Sequence, residues 1–263
     1  MIAVFLVAMA IVLMLVLFFW RSGQCSSSHS QRSVDVCLVL LNLMQELQRH
    51  RALSIAVLDG QFEFRKELGL TEHMLQRTLH TLADQYGDRH AIFSSEQWHV
   101  VLRQWESLRN NWRELDFVTN LFAHNEVVLG LIGVLQVLAD DEPKRLGENR
   151  VQIITHWPHL IEHLGMLRAL GVHSLSQKDP LQDTRINLSI TDHWQHATQE
   201  LTQLSEKIPD ASIVTSSETL LRRVALLTEG STQTYNAQTF YEDMTTLIDQ
   251  WYRMITSQIT QRA

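Results

Sequence analysis

Two arginines stand where a charge is hardest to place. Arg51 falls on one stripe with Cys37, Met44 and Leu58, at separations of seven or fourteen residues, and on a helix that spacing turns all four toward the core. Arg168 stands in the same relation to Ile161 and Leu175. A guanidinium left alone in a core costs several kcal/mol even after relaxation, so each must meet a carboxylate, carbonyl groups or an anion. The flat, permanently charged fork of N–H donors on arginine suits a small planar oxyanion, because it can hold two oxygens at once. For Arg51 the competing expectation is an ion pair with Glu46 or Asp116, or a side chain that reaches the surface along its apolar stem.

Other residues offer weaker chemistry. His156, His159 and His163 recur at helical spacing, and His193 and His196 follow on the next helical segment. Two neighbouring helices could gather such imidazoles around zinc or copper, but Pro158 disturbs the first face and no Glu or Cys completes a ligand signature, so no metal and no cofactor is expected. Trp98, Trp105 and Trp112 repeat every seven residues, a stripe that belongs in a core or, if exposed, at a docking face. Neither a phosphate-cradling glycine loop nor a nucleophile elbow nor a spaced acidic pair is present, so the chain reads as a non-enzyme. The formal charge of −7 argues against nucleic acid. It also means that an anion would be attracted only by local arginines in a dry site.

The elements that position these residues are helices. With 4 Pro and 10 Gly in 263 residues and no sustained alternation of apolar and polar side chains, strands are not expected. Helices are predicted near 33–59, 63–86, 95–117, 120–141, 151–176, 184–207, 215–229 and 237–260. Turn signals separate them: Asp59-Gly60, Tyr86-Gly87-Asp88, Asp140 to Pro143, Lys178-Asp179-Pro180, Ile208-Pro209-Asp210 and Glu229-Gly230-Ser231. Ser94 or Ser95 with Glu96 and Gln97 marks a helix start, and Pro158 marks a kink or a late start. Eight helices with short connectors predict an all-α chain of two antiparallel four-helix bundles, 33–142 and 143–263. A duplication is suggested by Leu47 to Leu53 against Leu164 to Leu170, at a shift of 117 residues, and by Phe122 and Leu129 against Phe240 and Leu247, at a shift of 118.

Ahead of the helices, residues 1–21 form an apolar run without a charge before Arg21. Its length matches a single membrane span, and it lacks the basic start and small-residue cleavage site of a signal peptide, so it is expected to be an uncleaved N-terminal transmembrane helix. Gln24 before Cys25 argues against a lipid-modified cysteine. A linker is expected at 22–32. Arg21 and Arg32 follow the span with no acid before Asp35, which places the soluble part on the cytoplasmic side of the inner membrane.

The segment Leu47-Gln48-Arg49-His50-Arg51-Ala52-Leu53-Ser54 resembles the first-helix signature of the nitrate- and nitrite-sensing (NIT) family, with His50 and Ala52 where that family has Glu and Gly. Gln76-Arg77-Thr78, Phe122-Ala123-His124-Asn125 and the stretch from Phe240 to Ile248 are similar to further family features, and the likeness spans residues 33 to 256. The resemblance implies a sensory ligand-binding domain that holds nitrate or nitrite through inward arginines. It points to Arg51, to Arg168 as the second-repeat counterpart, and to Arg223 and Arg222 as further contributors, with Arg223 favoured because it shares a face with Leu220 and Leu227. The chain shows no output domain, so it implies a separate signalling protein as partner, and a homodimer is a further expectation. The rival expectation is an anchored helical scaffold for a protein partner, without a small ligand.

Overall fold

The computed structural model describes residues 2–177, 183–228 and 236–261, with side chains from Ser30 onward. Every regular element among them is helical: α1 (Ile2–Leu58), α2 (Arg65–Tyr86), α3 (Glu96–Asn111), α4 (Phe117–Asp141), the single turn α5 (Pro143–Leu146), α6 (Glu148–Ser176), α7 (Thr184–Leu204), α8 (Ala211–Thr228) and α9 (Ala237–Thr260).

Local chemistry accounts for the boundaries. Helix α1 stops at Gly60, whose φ of +87° is a left-handed conformation that costs glycine little. Four starts are capped by a side-chain oxygen accepting a backbone N–H: Ser95 from Trp98, Asp116 from Thr119, Asp183 from Arg185 and Asn236 from Thr239. Single 3₁₀ turns at Trp112–Glu114 and Ser205–Lys207 end α3 and α7.

Several boundaries differ from the sequence reading. Helix α6 starts at Glu148 and carries Pro158 inside it, so the proline is accommodated within the helix and does not delay its start. Helix α1 runs through 22–32, expected as a linker; serine and glutamine are tolerable in a helix, and Gly23 alone in that stretch opposes it. Helices α4 and α8 begin a few residues earlier than expected. The turns at 178–180 and 229–231 lie outside the described residues, and so do the side chains of the expected anchor, 1–21.

Helices α1 and α6 pack against each other at the centre. Helix α4 touches both, α9 does the same on the other flank, α2 and α3 cover α1 and α4, and α7 and α8 cover α6 and α9. Hence α6 is buried on nearly every face from Leu164 to Val172. Close approach there depends on Gly171, where an added Cβ would lie 2.2 Å from the Phe240 ring. Trp98, Trp105 and Trp112 are all core residues. Helix α4 is long and apolar enough to cross a membrane by length and composition, but half of that stretch is buried inside the protein, as suits a helix packed between others.

Candidate functional site

Where α1, α6 and α9 meet, the core contains charge. Arg51 is fully buried, and its partner is neither Glu46 nor Asp116. It is Glu162 on α6, itself buried, with Nη1 donating to Oε1 at 2.6 Å and Nη2 to Oε2 at 3.2 Å. Asp116 is instead the cap of α4, and Glu46 lies 3.7 Å from Arg49. Gln48 donates to Glu162 Oε2 at 2.7 Å, and the Tyr252 hydroxyl donates to Gln48 Oε1 at 3.0 Å. Gly165 makes room for this group, since a Cβ there would stand 2.9 Å from Arg51 Nη2 and 3.1 Å from Gln48 Nε2. Above it, Arg49 binds both oxygens of Asp249 on α9, at 3.0 and 3.2 Å.

Arg168 is treated differently. It is 1% exposed, and among the described residues its side chain donates from Nη1 to Thr245 Oγ1 at 3.0 Å, with the Tyr241 ring 5.6 Å from its Cζ. Its Nε and Nη2 are buried without a hydrogen-bond partner, and among the described residues no carboxylate lies within 4.0 Å. Burial, with Arg49 and Arg51 adding repulsion, holds its pKa below the ordinary arginine value. The free Nε and Nη2 form one edge of the guanidinium, two parallel donors in the spacing that a planar oxyanion can accept.

Arg222 and Arg223 lie outside this seam, on the surface of α8. Arg222 is 4.0 Å from Glu218, one turn away, and Arg223 is 3.5 Å from Asp243 of α9.

Next to Arg51, His50 sits edge-on to Trp105 and Trp112. Its tautomer is set by its neighbours. His124 Nδ1 faces the Asn120 carbonyl at 2.8 Å and must donate, so His124 Nε2 accepts from His50 Nδ1 at 2.8 Å. His50 Nε2 then faces Glu72 Oε1 at 3.6 Å. Burial holds both imidazoles below their ordinary pKa, His124 well below it.

The histidines of α6 and α7 do meet: His163 Nδ1 is 3.0 Å from His193 Nδ1, and the His196 ring stacks on His163. No three His, Cys, Asp or Glu among the described residues converge as metal ligands. Glu162 and Thr245 are not among the residues expected from the sequence, and Gln48 stands there only within the segment that resembles the family signature. For Glu162 a signal existed, because it is the one acid of α6 beyond the first turn, and an acid in so apolar a helix needs a partner.

Fold and seam define an all-helical domain with a charged interior. The sequence model for nitrate and nitrite sensing matches residues 42–263, and the chain belongs to that family, one of sensory domains rather than enzymes. No curated protein and no solved structure matches the chain.

Proposed function

We propose that the protein senses nitrate or nitrite in the seam of α1, α6 and α9, with Arg168 as the principal anion contact and Arg51 as its neighbour in the same core. The carrying observation is the unpartnered Nε and Nη2 edge of a buried Arg168. A buried cation with no carboxylate in contact is costly, and a small anion that offers two oxygens would lower that cost. Arg222 and Arg223, already beside carboxylates on the surface, serve at most an outer role. Anion binding would favour one packing of the three helices over another, by no more than its difference in affinity for the two.

The duplicated two-bundle reading, 33–142 and 143–263, is supported by the order of helices and by the central pairing of α1 with α6. The apolar composition of 1–21 supports an N-terminal anchor in the inner membrane with the sensory part in the cytoplasm, and signalling then passes to a partner protein or a second copy.

One observation favours the scaffold reading: the Arg51 fork is already filled by Glu162. Calorimetric titration of the full chain in detergent with nitrate and with nitrite separates the two. Heat that disappears in Arg168→Met supports the sensor, whereas no heat and no thermal shift at millimolar anion leaves the scaffold.

A further inference from the structure

The seam holds more acid than its ion pairs use. Arg51 is matched with Glu162 and Arg49 with Asp249. Arg168, Glu46 and the half-buried Glu67 remain, one cation and two acids, and among the described residues neither Arg168 nor Glu46 has a close partner of its own. Glu46 is 6% exposed, and among the described residues its Oε2 is buried without a hydrogen-bond partner and its Oε1 reaches, at 3.7 Å, the Arg49 that Asp249 already holds. The charged and titratable groups facing it come from every helix around it: Arg49 on α1, Asp249 on α9, Arg168 on α6 and Glu67 on α2. Tyr241 of α9 joins this set through its hydroxyl, which donates to Glu67 at 2.7 Å.

With Glu46 ionised, its charge balances Arg168 from a distance. An anion seated on Arg168 takes over that role and makes the Glu46 carboxylate one negative charge too many in a dry site. Resting on the anion-binding reading above, we infer that the protein takes up an anion and a proton together, with Glu46 as the proton acceptor. The ligand is in effect a monoanion plus a proton. Burial already raises the Glu46 pKa from 4.5, with Arg49 opposing and Asp249 adding to the rise, so the carboxyl is poised to gain a proton when a further negative charge arrives. The bound state then holds more protons than the free state, and affinity must rise as pH falls.

The test is calorimetric titration of the full chain in detergent with nitrate, which does not itself titrate, in two buffers of different ionisation enthalpy at about pH 6 and about pH 8. Proton uptake approaching one per nitrate is expected, with affinity falling by up to about tenfold per pH unit where Glu46 titrates. The isosteric Glu46→Gln should bind nitrate with no buffer-dependent heat and no pH dependence. Nitrate heat that is the same in both buffers in the wild type overturns the inference and leaves the anion site standing. Proton uptake that persists in Glu46→Gln also overturns it. Absence of any nitrate binding overturns both readings.

Discussion

Arg51 and Glu162 form a two-point ion pair across 111 residues of sequence, at 2.6 and 3.2 Å, in a site sealed from water. Breaking one side leaves the other charge buried and alone. Arg51→Met and Glu162→Leu should each lower stability by about 3–5 kcal/mol, whereas the double substitution should recover most of that loss. Urea denaturation of the four proteins measures it, and additive losses would contradict the pairing.

Arg168 predicts the opposite sign. Among the described residues its buried cation has no carboxylate in contact, so Arg168→Met removes a desolvated charge and retains the stem. Stability should stay level or rise, while the nitrate response is lost. A stability loss as large as that of Arg51→Met would show that Arg168 is paired in solution.

Gly165 and Gly171 are both close-approach positions on α6, but their neighbours differ in compliance. Gly165→Ala presses on side-chain ends, Arg51 Nη2 at 2.9 Å and Gln48 Nε2 at 3.1 Å, whereas Gly171→Ala would drive a Cβ to 2.2 Å from the fully buried Phe240 ring. Overpacking of this kind costs about 1–3 kcal/mol. Gly171→Ala should lie at or beyond the upper end and Gly165→Ala nearer the lower, as thermal melts would show.

The buried His50 and His124 and the half-buried His163 make the fold sensitive to acid. His50, His124 and His163 are held below their ordinary value of 6.5, His163 to about 4, all chiefly by burial. Above pH 6.5 they are neutral folded or unfolded and cost nothing. As pH falls below 6.5 the unfolded chain takes up protons that the folded chain refuses, so stability declines until the folded values are reached. Each group adds a slope of up to about 1.4 kcal/mol per pH unit. Glu200 runs the other way: burial lifts it from 4.5 to about 7, so its contribution to stability falls as pH rises across that window. Denaturation midpoints of His124→Asn and Glu200→Gln against pH check both signs. The first should flatten the acid decline, and the second should stabilise above pH 7 and not below 4.5.

Much of the architecture is a local property, and it was readable as such. Helices follow from a periodicity of 3.6, caps such as Ser95 and Asp116 act within three residues, and Gly60 ends α1 by its own backbone freedom. The same periodicity turns Arg51 and Arg168 inward, since position on a helix face depends only on the chain's own register. Which partner each would meet was decided by tertiary packing. Glu46 stands five residues from Arg51 in sequence, yet Arg51 reaches across to Glu162, because Gly165 lets α1 and α6 approach closely at that level and because Glu46 lies beside Arg49. Arg168 shows the same division: its inward direction is written in a seven-residue stripe, and that no carboxylate among the described residues touches it follows from what α1 and α9 bring beside it. Sequence determines faces through local geometry, whereas the pairing of charges between distant faces exists only once the helices are packed.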